Sequence, residues 1–295
     1  MPRQLLAGIE TGGTKILARL SDSDSGETIA ERRWPTSSAE QAVAHLTKFL
    51  TELPVGSQLR SVGIASFGPL IIDPQSADYG TMQATTKPAW TGSNLRSELQ
   101  SRLEVPVAVD SDVNAAAVAE QILGSGRGLS SIAYVTVGTG IGAGLALNGV
   151  SLKGAMHPEA GHLPVIRKPD DARPSICRYH ESCAEGLASG PAVRARLEDG
   201  RDLAEDPVLV DLIAGYLGQL GASLVLAWSP WRIVWGGGII EAVPMIPAIE
   251  AKLKSSLEGY GVGPAVDRPG FCTSAGLENA GLEGAMLMAR NLVQR

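Results

Sequence analysis

Gly8-Ile9-Glu10-Thr11-Gly12-Gly13-Thr14-Lys15 decides how the chain is read. A short apolar strand, Leu5 to Ile9, runs into a double glycine and comes back out as a second strand, Ile16 to Leu20. Glycine removes the Cβ that would keep an anion away from consecutive backbone N–H groups, and threonine adds a hydroxyl donor. The turn is therefore a candidate phosphate cradle as well as a plain hairpin. It is not a Walker loop, because Thr14 stands where that motif needs lysine directly after the second glycine.

Two further turns share its chemistry: Gly138-Thr139-Gly140-Ile141-Gly142-Ala143-Gly144 and Gly236-Gly237-Gly238. The dinucleotide fingerprint fails at both, since Ala143 and Glu241 occupy the position of its last glycine. Around the first turn the order is three short strands (the third Thr28 to Arg33), a helix capped near Thr36-Ser37-Ser38-Ala39-Glu40, and a buried strand, Leu59 to Ser66. A polar loop from Gly68 to Thr91 leads to a helix near Asn94 to Leu103, a strand at Val105 to Val109 and a helix from Asp112 to Leu123. The pattern then restarts with strands at Ile132 to Val137 and Ile141 to Leu147, an irregular segment to about Glu185 and helices to Trp228. A strand at Arg232 to Trp235 and helices to the end complete it. Strands alternating with helices predict two α/β domains with a ligand held in a cleft between them. Residues 1–115 form the smaller, with the helix at 280–295 packing back on it, and residues 116–279 form the larger.

Composition narrows the function. Of 295 residues, 44% are hydrophobic and 19% charged, which excludes a disordered or fibrous chain, and the 35 glycines fit backbone-lined turns. A net charge of −6 with aromatics at 4% gives neither an electrostatic footprint nor a stacking platform for nucleic acid. Two charge-free stretches, Gly128 to Leu152 and Leu212 to Trp231, tempt a membrane reading. The first is broken by its glycine turn. The second carries Gly215, Gly218 and Gly221, Gln219, Ser223 and a Pro230 stop, and reads as a buried helix packed closely on another element. The amino terminus meets Glu10 after five apolar or small residues, too few for the apolar core of a signal peptide, so the expected compartment is the cytoplasm with no membrane partner. Three cysteines, two of them six residues apart, suit reduced thiols or a metal rather than disulfides, and Cys272 reads as core.

Two constellations carry chemistry. Asp110-Ser111-Asp112-Val113-Asn114 puts an aspartate pair at a strand end before a helix, suited either to capping that helix or to accepting a proton. His157, His162, Cys177, His180 and Cys183 crowd between residues 157 and 183, where chance would place fewer than one such residue. Cys177-Arg178-Tyr179-His180-Glu181-Ser182-Cys183 sets three soft or borderline donors at three-residue intervals. Tetrahedral Zn²⁺ takes four such ligands, so a fourth must come from elsewhere. The alternative is a pair of buried free thiols with exposed histidines.

Taken together, the three turns in their chain positions resemble the ROK family of sugar kinases, repressors and open reading frames, which has the actin-like ATPase (ribonuclease H-like) fold. That resemblance implies ATP with Mg²⁺ as cofactors. Gly12, Gly13, Thr14, Lys15 and Gly138, Thr139, Gly140 would bind its phosphates, with Gly236, Gly237, Gly238 and Pro191 beside the nucleoside. Asp112-Val113-Asn114 matches the family's Asp-x-Asn, which makes Asp112 the general base and Asn114 a sugar ligand. Glu159-Ala160-Gly161-His162 matches Glu-x-Gly-His, so His162 joins Cys177, His180 and Cys183 on a closed structural zinc while Glu159 and the second His162 nitrogen meet the sugar.

Arg33-Trp34-Pro35-Thr36, the run Gly63 to Gly68-Pro69, Thr86-Lys87-Pro88-Ala89-Trp90, His157-Pro158-Glu159 and Glu185 to Pro191 are similar to the bacterial fructokinase branch. They add Gly68 and Lys87 as expected sugar-loop residues. Glu10 replaces the Asp common elsewhere in the family, and Thr85-Thr86-Lys87 lacks the usual Pro before Lys. The implied reaction is transfer from ATP to the 6-hydroxyl of D-fructose. Another hexose (glucose, mannose or an N-acetylhexosamine) is the alternative acceptor, and a non-catalytic sugar-sensing protein the alternative of another class. A repressor would need a DNA-binding helix-turn-helix, and only about four residues precede Leu5. The glycine-faced helix around Gly215 suits a homodimer.

Overall fold

The computed structural model describes residues 2–197, 201–260 and 264–294, and the chain divides into two compact units. Residues 1 and 295, which bound the expected domain ranges, lie outside the described residues. Unit 1 holds the chain up to Ala119, then Ser151–His157 and the chain from Asn279; unit 2 holds Glu120–Val150 and Pro158–Glu278.

Unit 1 is built on β1 (Arg3–Thr11), β2 (Lys15–Asp22), β3 (Thr28–Pro35), β4 (Ser57–Ser66) and β5 (Val107–Ser111), in the order β3-β2-β1-β4-β5. The first three form an antiparallel meander, while β4 and β5 run parallel to β1. Helix α1 (Ala39–Thr51) starts where Ser38 Oγ accepts the Gln41 N–H at 3.2 Å and buries Ala42, Val43, Leu46 and Leu50. It packs with α2 (Leu95–Leu103), capped by Asn94, over a core that includes Ile9, Ile64, Trp90 and Val109. On β1 and β4 lies α9 (Ala280–Val293), whose small residues bring helix and sheet backbones unusually close.

Gly63 shows how close: a Cβ there would stand 2.0 Å from the Ala285 carbonyl oxygen. Backbone cannot step aside as a flexible side chain can, so the cost is overpacking. We expect Gly63→Ala to destabilise unit 1 by about 3 kcal/mol, visible as a lower urea midpoint; an unchanged midpoint would disprove the fit.

Unit 2 has the same sheet plan. Its sheet is formed by β6 (Ser131–Val137), β7 (Ile141–Leu147), β8 (Val150–Ser151, of which Ser151 already counts with unit 1), β9 (Ile233–Gly236) and β10 (Cys272–Ser274), in the order β10-β9-β6-β7-β8. Here too an antiparallel pair opens the sheet and parallel strands extend it beyond the first strand. The charge-free stretch Gly128 to Leu152 is therefore the β6–β7 hairpin and its flanks. Helix α6 (Pro207–Trp228) is long and apolar enough to cross a membrane by composition, but 61% of its most apolar window is buried inside the protein. Its glycine face is taken by α8 (Ile246–Ser256): a Cβ on Gly218 would fall 2.5 Å from Lys252 Cβ, and one on Gly221 2.7 Å from Leu253 Cδ1. The close partner expected for this helix is thus within the chain, and the glycine face offers no support for a dimer.

Two strand readings need correction. The strand expected at Val105 to Val109 is Val107–Ser111, because Pro106 has no N–H for the ladder and contributes only its carbonyl, which accepts from Val62 N–H at 3.0 Å. The final stretch, read as helices alone, also contains β10, three residues between Gly270 at φ +73° and Ala275. So short a strand has no period to read; it exists because its backbone pairs in register with Ile233, Val234 and Trp235.

The irregular segment before Glu185 is held by polar pins. Asp171 accepts from Arg196 at 2.8 Å and from the Tyr216 hydroxyl at 2.7 Å, with both members of the ion pair almost wholly buried. Arg167 donates to the carbonyls of Arg173 and Glu181, both at 2.7 Å.

Candidate active site and metal centre

In unit 1, Thr11 at the end of β1 is paired with Ser66 at the end of β4, and Ser66 with Ser111 at the end of β5. Three parallel strands thus stop level with one another, and the loops that follow must share one edge of the sheet. Open α/β sheets bind ligands at such carboxyl edges. Those loops carry Gly12-Gly13-Thr14-Lys15, Gly68 and Asp112 with Asn114, so topology gathers three motifs that are far apart in sequence. Lys87 leads into the one-turn 3-10 helix Pro88–Trp90 and makes no ion pair among the described residues.

The glycine turn closes with Gly12 N–H donating to the Lys15 carbonyl at 2.8 Å, and Thr36 Oγ donates to the Gly12 carbonyl at 2.7 Å. Below it Glu10 is desolvated, which raises its carboxyl above the usual range although Lys15 and the Leu282 N–H pull the other way. Its Oε2 is buried without a hydrogen-bond partner among the described residues. An orphaned carboxylate oxygen beside a phosphate-type turn is the donor that a hard cation such as Mg²⁺ takes.

Asp112 is the first residue of α3 (Asp112–Ile122) and its Oδ1 accepts the Val113 N–H at 2.8 Å. The cap bond to the Asn114 N–H, at 3.2 Å, is made instead by Ser111 Oγ. Asn114 is fully buried; its amide donates to Asp110 Oδ1 at 2.9 Å, and its Oδ1 has no hydrogen-bond partner among the described residues. Asp110 is the hub that the sequence reading missed. It accepts from the Ser111 N–H, from Asn114 and from Ser151 Oγ (2.7 Å), and pairs with Lys153 Nζ at 2.8 Å. Only the paired aspartates hinted at it, because Ser151 and Lys153 are some 40 residues away in sequence. His157, unassigned from sequence, accepts the Leu70 N–H on Nε2 at 3.2 Å and fills the space where a Gly68 Cβ would stand, 2.6 Å away.

In unit 2 the second and third turns meet. β6 and β9 are parallel, with Thr136 opposite Gly236, so Gly138 and Gly237 emerge at the same edge. Gly237 needs φ +91° and has no room for a Cβ, which would sit 2.6 Å from the Val137 carbonyl. Gly190 N–H donates to the Gly138 carbonyl at 2.7 Å and brings Pro191 to the same turn. Gly138-Thr139-Gly140, Pro191 and Gly236-Gly237-Gly238 therefore form one constellation.

The metal residues also converge. One ligand atom from each of His162, Cys177, His180 and Cys183 lies within 4.8 Å of every other. Cys177 Sγ is 3.8 Å from His162 Nδ1 and 3.5 Å from His180 Nδ1, and Cys183 Sγ is 3.7 Å from His162 Nδ1. With Zn–N near 2.0 Å and Zn–S near 2.3 Å, tetrahedral ligands stand about 3.6 Å apart. The set fits zinc. Burial, with Cys177 adding to it, pushes the Cys183 thiol up to about 11, so a thiolate at this position calls for a cation.

His162 turns Nδ1 toward the sulfurs and Nε2 toward Glu185 Oε1, 3.8 Å away. Glu159 stands at the cap of the 3-10 helix Ala160–His162. Sequence reasoning leaves Glu185 unassigned, although it follows Cys183 by two residues.

The ROK family pattern matches residues 6–292. The fructokinase of Zymomonas mobilis is 36% identical over 97% of this chain and 97% of its own length. Among solved structures, the ROK hexokinase of Thermus thermophilus superposes with a TM-score of 0.79 at 30% identity, covering 98% of this chain and 99% of that one. A ROK family glucokinase from Streptomyces griseus, in complex with glucose and AMPPNP, superposes with a TM-score of 0.76 at 27% identity over 97% and 99% of the two chains.

Proposed function

The chain belongs to the ROK family, and on that premise we propose that it is an ATP-dependent fructokinase, moving the γ-phosphoryl group to the 6-hydroxyl of D-fructose. One observation carries the chemistry: Ser111 Oγ makes the cap bond to the Asn114 N–H, and Asp112 beside it, at a carboxyl strand edge, serves as the base. Phosphoryl transfer asks the protein mainly for position and charge stabilisation. Asp112 takes the proton of the attacking hydroxyl. Asn114, oriented by Asp110, offers its unpartnered Oδ1 to a sugar hydroxyl, and Glu159, His162, Gly68 and Lys87 complete the sugar contacts.

Thr14, Lys15 and the Gly12-Gly13 backbone hold phosphate oxygens, as do Gly138, Thr139 and Gly140. Gly236, Gly237, Gly238 and Pro191 hold the nucleoside. Mg²⁺, held through Glu10, would neutralise charge developing on the phosphates. Zinc on His162, Cys177, His180 and Cys183 is structural, since all four positions are filled by protein. We place the enzyme in the cytoplasm. We also read it as a homodimer.

The reading is tested by ADP release with fructose, glucose and mannose, alongside metal analysis of the same preparation. The expected result is the highest kcat/KM with fructose and about one zinc per chain. Preference for glucose or mannose would reassign the acceptor. Hexose binding without ADP release would leave a sugar sensor.

A further inference from the structure

Ser151–His157 is a piece of unit 1 set in the chain between two pieces of unit 2, and it is fastened at both ends. At its start Ser151 Oγ and Lys153 Nζ reach Asp110 at 2.7 and 2.8 Å, and the Leu152 carbonyl accepts the Asn114 amide at 3.4 Å. At its end the His157 ring is buried and its Nε2 accepts the Leu70 N–H at 3.2 Å. Leu70 is buried as well, so its N–H cannot turn to solvent instead, and a buried donor that loses its acceptor costs more than the bond was worth.

The same ring stands behind Gly68. A Cβ there would lie 2.6 Å from Nε2 and 2.7 Å from Cε1, so the imidazole occupies the place that a side chain at this position would need. The loop has local ties of its own: the Pro69 carbonyl accepts the Gln83 N–H at 2.7 Å, and Phe67 packs edge-on against Trp90 with ring centroids 5.0 Å apart. His157 holds it from a segment far along the chain, by one acceptor atom and by bulk.

We propose that His157 is a positioning residue of the sugar site: its Nε2 and its ring fix Gly68-Pro69-Leu70 and so place the Gly68 backbone against the hexose. The inference rests on the kinase reading, which gives Gly68 to the sugar. A contact made equally to bound substrate and to transition state lowers KM and leaves kcat alone. Misplacing the loop should therefore appear in the fructose KM.

The test is steady-state kinetics with fructose and ATP varied in turn, with calorimetric titration of fructose alongside. His157→Phe keeps the bulk of a ring and removes the acceptor, whereas His157→Gln keeps an acceptor at similar reach. The phenylalanine should raise KM and Kd for fructose about tenfold, as one buried N–H left without its acceptor would, with kcat and the KM for ATP near the wild-type values. The glutamine should restore most of the fructose affinity. A purely structural residue would lower the melting temperature and move both KM values together.

A double-mutant cycle tests the bulk and decides the matter alone if His157→Phe does not fold. Gly68→Ala, forced against the ring, should also raise the fructose KM about tenfold. In His157→Ala, where the space is open, adding Gly68→Ala should change it little further. Equal fructose KM in wild type and His157→Phe, equal losses in His157→Phe and His157→Gln, or additive effects in the cycle overturn the role of His157 even though fructose is phosphorylated. The expected ranking in the calorimetric Kd without any ADP release leaves the positioning standing and overturns the kinase. Fructose neither bound nor phosphorylated by the wild type overturns both.

Discussion

Asp112→Asn should lower turnover with ATP and fructose by about 10³-fold, within the usual range for losing a positioned general base, while leaving the melting temperature and fructose affinity close to those of the wild type. The amide keeps an acceptor for the Val113 N–H, so the start of α3 is undisturbed, but it cannot take a proton from the attacking hydroxyl. The substitution also separates the two readings of this aspartate, since asparagine caps a helix as well as aspartate does. A residue needed only for the helix would pass unnoticed. Single-turnover kinetics with excess enzyme, together with thermal melting and fructose titration, makes the measurement; turnover near the wild-type value removes Asp112 as the base.

Asp171→Ala should destabilise unit 2 by about 3–5 kcal/mol, the usual cost of leaving one partner of a buried ion pair alone, and lower its melting temperature by roughly 10 °C. Among the described residues Arg196 would keep its bond to the Ala192 carbonyl alone, and the Tyr216 hydroxyl would lose its Asp171 acceptor.

The pH dependence has a definite sign. Burial alone would raise the Asp171 carboxyl, but the hydrogen bonds of Arg196 and Tyr216 and the Arg196 charge outweigh it and hold the group below its ordinary value. A carboxyl depressed on folding stabilises above its unfolded pKa, near 3.9, and that contribution is lost as pH falls through the folded value. The gap between wild type and variant should therefore be full at neutral pH and shrink in acid. Tyr216 acts at the other end: burial, then its bond to Asp171, pushes it up to about 12. It contributes fully below its unfolded pKa, and the contribution disappears as pH rises through the folded one. Melting curves from acid to neutral pH decide the matter; a gap that widens in acid would refute the assignment.

The motifs legible in the sequence are those whose parts lie within a few residues of each other. A glycine turn, an Asp-x-Asn after a strand and a Cys-x-x-His-x-x-Cys run declare themselves because turn geometry, capping and ligand spacing are local properties. Ser38 lies within a cap signal that is legible for the same reason. Asp110 was visible only as half of a pair. Its partners Ser151 and Lys153 approach it only after an intervening hairpin has been built, and no periodicity encodes that meeting. Glu185 stands in the run Glu185 to Pro191 with nothing local to mark it, because its neighbours Ile141 and His162 belong to other elements.

Sequence alone determined the kind of protein this is: two α/β units, turns lined with backbone donors, a carboxylate at a helix start and a cluster of soft ligands. Apolar periodicity and residue chemistry act at short range, so they survive without the fold. Tertiary structure decided which of these groups meet. Level strand ends bring the turn after β1, Gly68 and Asp112 to one edge, parallel β6 and β9 bring the second and third turns together, and Glu185 lies against both a glycine turn and a metal ligand. Strand register and backbone contact over many residues settle those meetings, and they come into being only when the sheets assemble.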